Sequence, residues 1–181
     1  MPELPADIWT GRAKEIDVSA PEAPWWKGKR GEWYVVVQVV LVALIAFSPR
    51  TLGGWPGWHF PQGVLVSSVG WALLGGGAVM LAAGAAKIGA KLTPLPYPVA
   101  GSVLQVTGAY RIVRHPMYCG VLLAALGWSL LSRSWPTLLL AVTACVFVDL
   151  KARREEAWLL ERFPDYAEYR RRVRKLFPFV Y

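Results

Sequence analysis

Long uncharged stretches, separated by short clusters of charged residues, divide this chain into segments. The first stretch lies between Glu32 and Arg50 and reads WYVVVQVVLVALIAFSP, and the second covers residues 63–86. At about 1.5 Å per residue, a helix over either stretch can cross a hydrocarbon core of about 30 Å, the first if its ends sit in the interface. The pattern therefore predicts two transmembrane helices in the first half of the chain.

Small residues are concentrated in the second of these stretches. Ala78, Ala82 and Ala86 recur at a spacing of four, and Gly75 to Gly77 thin the same segment. Small side chains let neighbouring helices approach closely in lipid. We expect these positions to form a packing face and not a cofactor site.

Two shorter apolar stretches follow in the second half of the chain. One begins at Pro116, and the other begins at Pro136 and reaches about Leu150. A proline at the first helical position has its backbone preset for a helix. The short connection at residues 132–135 predicts a tight turn, so we expect an antiparallel transmembrane hairpin over residues 116–150.

The uncharged stretch at residues 92–110 is not expected to cross the membrane. It contains Pro94, Pro96 and Pro98, which remove N–H donors that lipid cannot replace. Alternating prolines instead predict an extended loop, suited to lining a pocket at the membrane surface.

The distribution of charge indicates how the four predicted spans are oriented. The chain has 181 residues, is 55% hydrophobic and carries a net charge of +8, and its basic clusters flank the apolar spans. Loops on one predicted side carry only Arg50 and Arg133, so the positive-inside rule places both termini in the cytoplasm. The alanine- and leucine-rich spans favour a bacterial inner membrane. Membrane lipids, not nucleic acid, are the expected partners of this charge.

These segments predict an all-α integral membrane protein in three parts. Residues 1–30 form a proline-punctuated cytoplasmic arm, and residues 31–86 hold the first two spans. Residues 87–181 contain the proline-rich loop, the hairpin and a cytoplasmic tail that is helical in pattern but interrupted at Pro164.

Candidate chemistry gathers just before the third predicted span, in the sequence GAYRIVRHPMYCG at residues 108–120. His115 precedes Pro116, so we expect it to cap an exposed helix N-terminus, with Arg111 and Arg114 just outside. A helix N-terminus beside guanidinium and imidazole groups favours an anionic ligand.

A second polar group lies where the last predicted span leaves the membrane. Glu155 and Glu156 gain nothing from an anionic lipid surface. They either meet a specific cationic or hydroxyl-bearing partner or pair with arginines of their own helix. Asp149 and Lys151, slightly earlier, are either site residues or a helix end emerging into water.

The first motif, followed after a hairpin by REEAWLLERFPDYAEYRRRV and a closing LFPF, resembles the isoprenylcysteine carboxyl methyltransferase family, which is related to the phospholipid N-methyltransferases. The resemblance covers residues 88–181. It implies a small membrane enzyme that uses S-adenosylmethionine to methylate a lipophilic carboxyl, amine or thiol reached from the bilayer. The cofactor would be held by the C-terminal half, and indeed no GxGxxG motif after a strand indicates a Rossmann-type domain.

The resemblance also implies which residues form the site. Lys151 falls where a basic residue near the substrate carboxylate is expected, although lysine lacks the bidentate geometry of arginine. An amine or thiol acceptor would have to lose a proton, and His115 and Glu156 are the candidate catalytic bases. No metal is expected, since the two cysteines lack metal-ligand spacing. The implied cofactor contacts, with either glutamate as the acidic one, are Ser102, Val103, Leu104, Gln105, Tyr110, Arg114, His115, Pro116, Met117, Tyr118, Glu155 and Glu156.

Two other functions are compatible with the sequence. Sterol reductases, which use NADPH, have a similar arginine–histidine element and an aromatic C-terminus like residues 177–181, but Pro116–Met117 departs from their asparagine-containing pattern. A non-enzymatic membrane module is the third possibility, and it would tolerate substitution in both polar motifs.

Overall fold

The computed structural model describes residues 31–51, 53, 58, 63–89, 103–178 and 180–181. Within these ranges it contains five α-helices and one short 3-10 helix, and no β-strand, so the predicted all-α class is confirmed. The predicted N-terminal arm, the three alternating prolines and Ser102 lie outside the described residues. The elements are α1 (Glu32–Phe47), α2 (Val64–Ile88), the 3-10 helix (Gly108–Arg111), α3 (Pro116–Ser132), α4 (Trp135–Arg162) and α5 (Tyr166–Arg172).

Four of these helices lie where the sequence predicts spans. Two of them, α2 and α4, are long and apolar enough to cross a membrane, whereas α1 and α3 are shorter apolar helices. Two candidate membrane spans are therefore present in the described part of the chain. The count of four spans, the cytoplasmic termini and the division into three parts stay predictions.

A tight turn joins α3 to α4, as predicted. Arg133 adopts a left-handed conformation with φ 54° and ends α3, and Ser134 precedes α4. The hydroxyl of Ser134 accepts from the backbone N–H of Thr137 at 3.1 Å and donates to the carbonyl of Pro49 at 3.0 Å. Serine is a favoured N-cap because its oxygen satisfies a helix N–H that has no helical partner.

Close packing of α2 on α3 rests on glycines, of which only Gly77 was among the predicted positions. A Cβ atom at Gly77 would lie 2.6 Å from the carbonyl oxygen of Gly120, and one at Gly70 would lie 3.3 Å from that of Gly127. By contrast, Ala78, Ala82 and Ala86 are exposed, and nothing lies within 4 Å of a Cβ atom at Gly75 or Gly76, so of the predicted packing face only Gly77 is confirmed. A spacing of seven, which includes Gly84, follows the side of α2 that α3 contacts.

Helix α4 continues far beyond the apolar stretch that predicted it. It runs without a break through the acidic pair and ends at Arg162, before Pro164. Because a proline disfavours helical backbone at the residue before it, Phe163 takes an extended conformation and α5 starts anew at Tyr166. The acidic pair therefore stands on the same rigid helix as a candidate membrane span.

After α5 the chain returns to the start of α3. Val113 and Arg174 form an isolated parallel β-bridge, the backbone N–H of Arg114 donates to the carbonyl of Arg174 at 2.8 Å, and that of His115 donates to the carbonyl of Lys175 at 3.1 Å. The segment that follows α5, from Val173 onward, is called the return segment below, and it holds the backbone of the first motif.

Asp149 ties the same return segment to α4. Its carboxylate accepts from Lys175 Nζ at 2.6 Å, from Arg153 Nε at 2.7 Å and from the hydroxyl of Tyr181 at 3.0 Å. Asp149 was expected to be either a site residue or part of a helix end in water. Neither interpretation describes it fully, because its carboxylate is bound by residues of the C-terminal segment and of its own helix. It fixes the position of the C-terminal segment.

Candidate functional site

The two polar motifs meet at the C-terminal half of α4, because the helix carries Glu156 into contact with the residues before α3. Arg114 Nε lies 2.8 Å from Glu156 Oε1, and His115 Nε2 lies 3.2 Å from the same oxygen. The Glu156 side chain is only 3% exposed. A buried carboxylate requires cationic or hydrogen-bonding partners. Its partners come from another element, so pairing with arginines of its own helix is the wrong alternative for Glu156.

The remaining hydrogen bonds of Arg114 hold the end of α5 and the start of the return segment. Its Nη1 donates to the carbonyl of Arg170 at 3.0 Å and also to that of Val173. The guanidinium of Arg170 adds a longer contact, with Nε 3.5 Å from Glu156 Oε2. Arg114 therefore joins α4, α5 and the motif, and its guanidinium is committed to groups of the protein itself.

The expected exposed helix N-terminus is not found. His115 occupies the N-cap position of α3, but its side chain makes no capping hydrogen bond. Both His115 and Pro116 are buried. The prediction was wrong because imidazole and guanidinium are drawn to the buried carboxylate of Glu156, a partner that the local sequence does not reveal.

Glu155 has a different environment from its neighbour. The hydroxyl of Tyr118 donates to Glu155 Oε2 at 2.8 Å, and His115 Nδ1 lies 3.7 Å from that oxygen. The side chain is 26% exposed. Among the described residues, no hydrogen bond reaches Glu155 Oε1. Of the acidic pair, Glu155 is thus the accessible carboxylate and Glu156 the enclosed one.

Tyr118 links this acidic cluster to Lys151. Its ring stacks on His115 with centroids 5.3 Å apart and planes 8° apart, and Lys151 Nζ lies 5.0 Å from the Tyr118 centroid. Lys151 is buried and donates to Gln38 Oε1 of α1 at 2.5 Å. Lys151 is therefore a buried site neighbour and not a helix end in water.

Gln38 is a site neighbour that the sequence reasoning missed. A usable signal was present, because Gln38 is a polar side chain within the apolar stretch of α1. Polar groups inside membrane segments face protein partners more often than lipid.

The other predicted cofactor contacts fall into two groups. Val103, Leu104 and Gln105 form an irregular segment in which Leu104 packs against Phe163, Tyr166 and Tyr169, and Tyr110 follows in the 3-10 helix. Burial raises the pKa of Tyr110, and the charge of Glu155 raises it further.

Pro116 and Met117 face the opposite direction. A Cβ atom at Gly84 of α2 would lie 2.8 Å from Met117 Cγ and 3.1 Å from Pro116 Cγ. These two side chains thus pack against α2, whereas Arg114, His115 and Tyr118 face the acidic pair.

Two tyrosines of α5 complete the surroundings and were also missed. Tyr166 and Tyr169 pack with Phe163 against Leu104 and Val106. The Tyr169 hydroxyl donates to the Tyr110 carbonyl at 2.5 Å. Burial raises the pKa of both tyrosines, so both hydroxyls stay protonated and neutral. Their sequence pattern does not distinguish them from an ordinary apolar helix face.

Comparison with known proteins adds a family to this geometry. This chain spans less than two thirds of the length of each relative named here. The cobalt-zinc-cadmium resistance protein CzcN of Cupriavidus metallidurans is 31% identical over 152 residues, which are 82% of this chain and 62% of that protein. The steroid 5-alpha-reductase DET2 of Solanum lycopersicum is 35% identical over 75 residues, 41% of this chain and 28% of that protein. The protein-S-isoprenylcysteine O-methyltransferase of Schizosaccharomyces pombe is 35% identical over 80 residues, 43% of this chain and 34% of that protein.

A family model also matches this chain, over more than half of its length. The model described as phospholipid methyltransferase matches residues 65–166, which run from α2 through the acidic pair to the start of α5. That range is more than half of the chain and includes both polar motifs. The protein therefore belongs to the phospholipid methyltransferase family, with the predicted kinship to isoprenylcysteine carboxyl methyltransferases confirmed.

Proposed function

We propose that this protein is an integral membrane methyltransferase that uses S-adenosylmethionine and acts on a lipophilic acceptor reached from the bilayer. The observation that carries the proposal is the buried cluster in which Arg114 and His115 meet Glu156 at the end of a candidate membrane span. Membership of the phospholipid methyltransferase family supports the reaction class.

The residues of the cluster fit a cofactor of this kind. Bound S-adenosylmethionine supplies a methyl group on a cationic sulfonium, and it also carries an amino group and ribose hydroxyls. Glu155 is partly exposed and its Oε1 makes no hydrogen bond within the described residues, so it can accept from those groups. We assign the acidic cofactor contact to Glu155. Glu156 is instead a positioning residue, because its carboxylate holds Arg114 and His115.

Methyl transfer is an in-line displacement, so the protein mainly has to position donor and acceptor. A carboxylate acceptor requires no base. For an amine or thiol, His115 can accept a proton only through Nδ1, because Nε2 faces Glu156 at 3.2 Å. Nδ1 lies 3.7 Å from Glu155, beyond hydrogen-bond distance, and so remains able to accept. Arg114 Nε and His115 Nε2 both lie within hydrogen-bond distance of Glu156 Oε1, which makes Glu156 the weaker candidate base.

The acceptor would be met on the other side of Tyr118. Buried Lys151 and half-buried Gln38 form a polar pair between α4 and α1. Lys151 precedes Glu155 by four residues, so both lie on the same face of α4. A lipid headgroup that arrives beside Lys151 would therefore lie next to the cofactor contact.

Titration calorimetry on the detergent-purified protein tests the proposal, with S-adenosylhomocysteine and NADPH as separate ligands. We expect saturable binding of S-adenosylhomocysteine alone. Glu155→Gln should weaken that affinity at least tenfold, since a hydrogen bond to a charged group is worth about 1.5–3 kcal/mol. Glu168→Gln on the exposed face of α5 is the matched control and should bind as the wild type does.

The second candidate is a membrane reductase, which the similarity to the plant steroid 5-alpha-reductase favours. Binding of NADPH alone would move the protein to that class. A folded sample that binds neither ligand would leave a non-enzymatic membrane module, and the two polar motifs would then be scaffold.

A further inference from the structure

The hydroxyl of Tyr166 is buried without a partner among the residues that the structure describes. The residue is 1% exposed, and its oxygen makes no hydrogen bond there. Native proteins pair nearly all buried polar groups, so an unpaired buried hydroxyl is a reason to look for a ligand. A phenylalanine would fill the same apolar space without this cost.

The hydroxyl lies where the aromatic cluster borders the acidic one. The Tyr166 ring packs with Phe163 and Tyr169, 5.8 Å from the Tyr169 ring. The charges of Glu156 and Arg114 both act on its hydroxyl, and burial raises its pKa most of all. The charge of Glu155, the carboxylate assigned to the cofactor, acts on the hydroxyl as well, so the side chain presents a neutral O–H donor near the proposed cofactor contact.

We propose that Tyr166 is a further cofactor-binding residue, whose hydroxyl donates a hydrogen bond to an acceptor atom of the adenosyl group. The inference rests on the proposed function. Apolar side chains, among them Leu104 and Val106, pack against the aromatic cluster to which Tyr166 belongs. Such surroundings suit a flat heterocycle whose ring nitrogens accept hydrogen bonds, whereas the charged amino-acid part of the cofactor suits Glu155.

Tyr166→Phe tests the proposal because it removes only the hydroxyl. Calorimetry with S-adenosylhomocysteine should show an affinity about five- to tenfold lower, as expected for one buried hydrogen bond. The thermal midpoint of the protein without ligand should stay equal or rise, since an unpaired polar group has been removed. If Tyr166 had only a structural role, Tyr166→Phe would keep its affinity for S-adenosylhomocysteine and would lower the thermal midpoint of the protein without ligand.

Thr137→Val provides the matched control, because Thr137 is also buried and its hydroxyl likewise has no hydrogen-bond partner within the described ranges. It lies in the first turn of α4, about 28 Å along the helix from Glu156. Its affinity for S-adenosylhomocysteine should equal that of the wild type. A second ligand, 5′-methylthioadenosine, lacks the amino-acid part and should lose affinity for Tyr166→Phe by the same factor.

The outcomes separate the two proposals. Wild-type protein that does not bind S-adenosylhomocysteine overturns the proposed function and this inference with it. Wild-type binding with unchanged affinity in Tyr166→Phe overturns only this inference, and so does a variant that loses thermal stability together with affinity. A loss confined to S-adenosylhomocysteine and not seen with 5′-methylthioadenosine overturns the assignment to the adenosyl group.

Discussion

The ion pair between Arg114 and Glu156 offers the sharpest test of how the site is held together. Its two side chains are 8% and 3% exposed, and the Nε–Oε1 distance is 2.8 Å. Arg114→Met would leave the Glu156 carboxylate enclosed, with His115 and the longer contact of Arg170 as its remaining partners. Glu156→Gln would in turn leave the Arg114 guanidinium without its anion.

The cost of either change follows from burial. Removing one partner of a buried ion pair costs about 3–5 kcal/mol, because the other charge remains without compensation. For a chain of this size, 1 kcal/mol shifts the thermal midpoint by about 2–4 °C, so each single variant should lose roughly 6–20 °C. Arg114→Met should lie at the upper end, since it also removes hydrogen bonds to the carbonyls of Arg170 and Val173.

Intrinsic tryptophan fluorescence during heating of the detergent-purified protein measures these midpoints. The double variant Arg114→Met/Glu156→Gln should lose less than the sum of the single losses, because no unpaired charge remains. Glu168→Gln serves as the control, since its ion pairs with Arg171 and Arg172 are exposed and such pairs contribute less than about 1 kcal/mol. Single losses no larger than the control, or fully additive losses, would refute the reasoning.

Two further predictions concern the helices around the site. Gly77→Ala should lower the free energy of unfolding by about 1–3 kcal/mol, because its Cβ would lie 2.6 Å from the Gly120 carbonyl oxygen. Gly75→Ala, whose Cβ would have nothing within 4 Å, should leave the thermal midpoint equal or higher. Equal midpoints for the two variants would contradict the close approach of α2 and α3. Lys151→Met should keep the affinity for S-adenosylhomocysteine but lower methylation of a lipid extract at least tenfold, as measured by transfer of radiolabelled methyl groups. A loss of cofactor affinity would instead place Lys151 on the cofactor side.

Local sequence was sufficient for most helix boundaries. Pro116 begins α3 as predicted, and the turn at Arg133 and Ser134 lies where the two apolar stretches meet. Such boundaries depend on residues within a few positions of one another. The end of α4 was harder to predict, since the apolar pattern stops near Leu150 while the following residues are good helix formers. Only the proline at position 164 ends that helix.

The charged residues at the centre of the site were predictable, but their pairing was not. The sequence singled out Arg114, His115 and the acidic pair, yet it left open whether the acids pair within their own helix. The actual partners of Glu156 are 41 and 42 residues away along the chain, and no local period carries that information. The prediction of an exposed helix N-terminus was wrong for the same reason, because the imidazole that was expected to face water contacts the distant carboxylate of Glu156.

The continuity of α4 is what would make this site serve both a membrane acceptor and a cofactor from the cytoplasm. Lys151 and Glu155 stand one helical turn apart, about 6 Å along the axis. The lysine faces α1 through Gln38, and the glutamate meets the first turn of α3 through Tyr118. A break in the helix between them would let the two positions move independently. Because the helix is unbroken, the distance between acceptor and donor would be set by backbone geometry alone, which is the positioning that an in-line displacement requires.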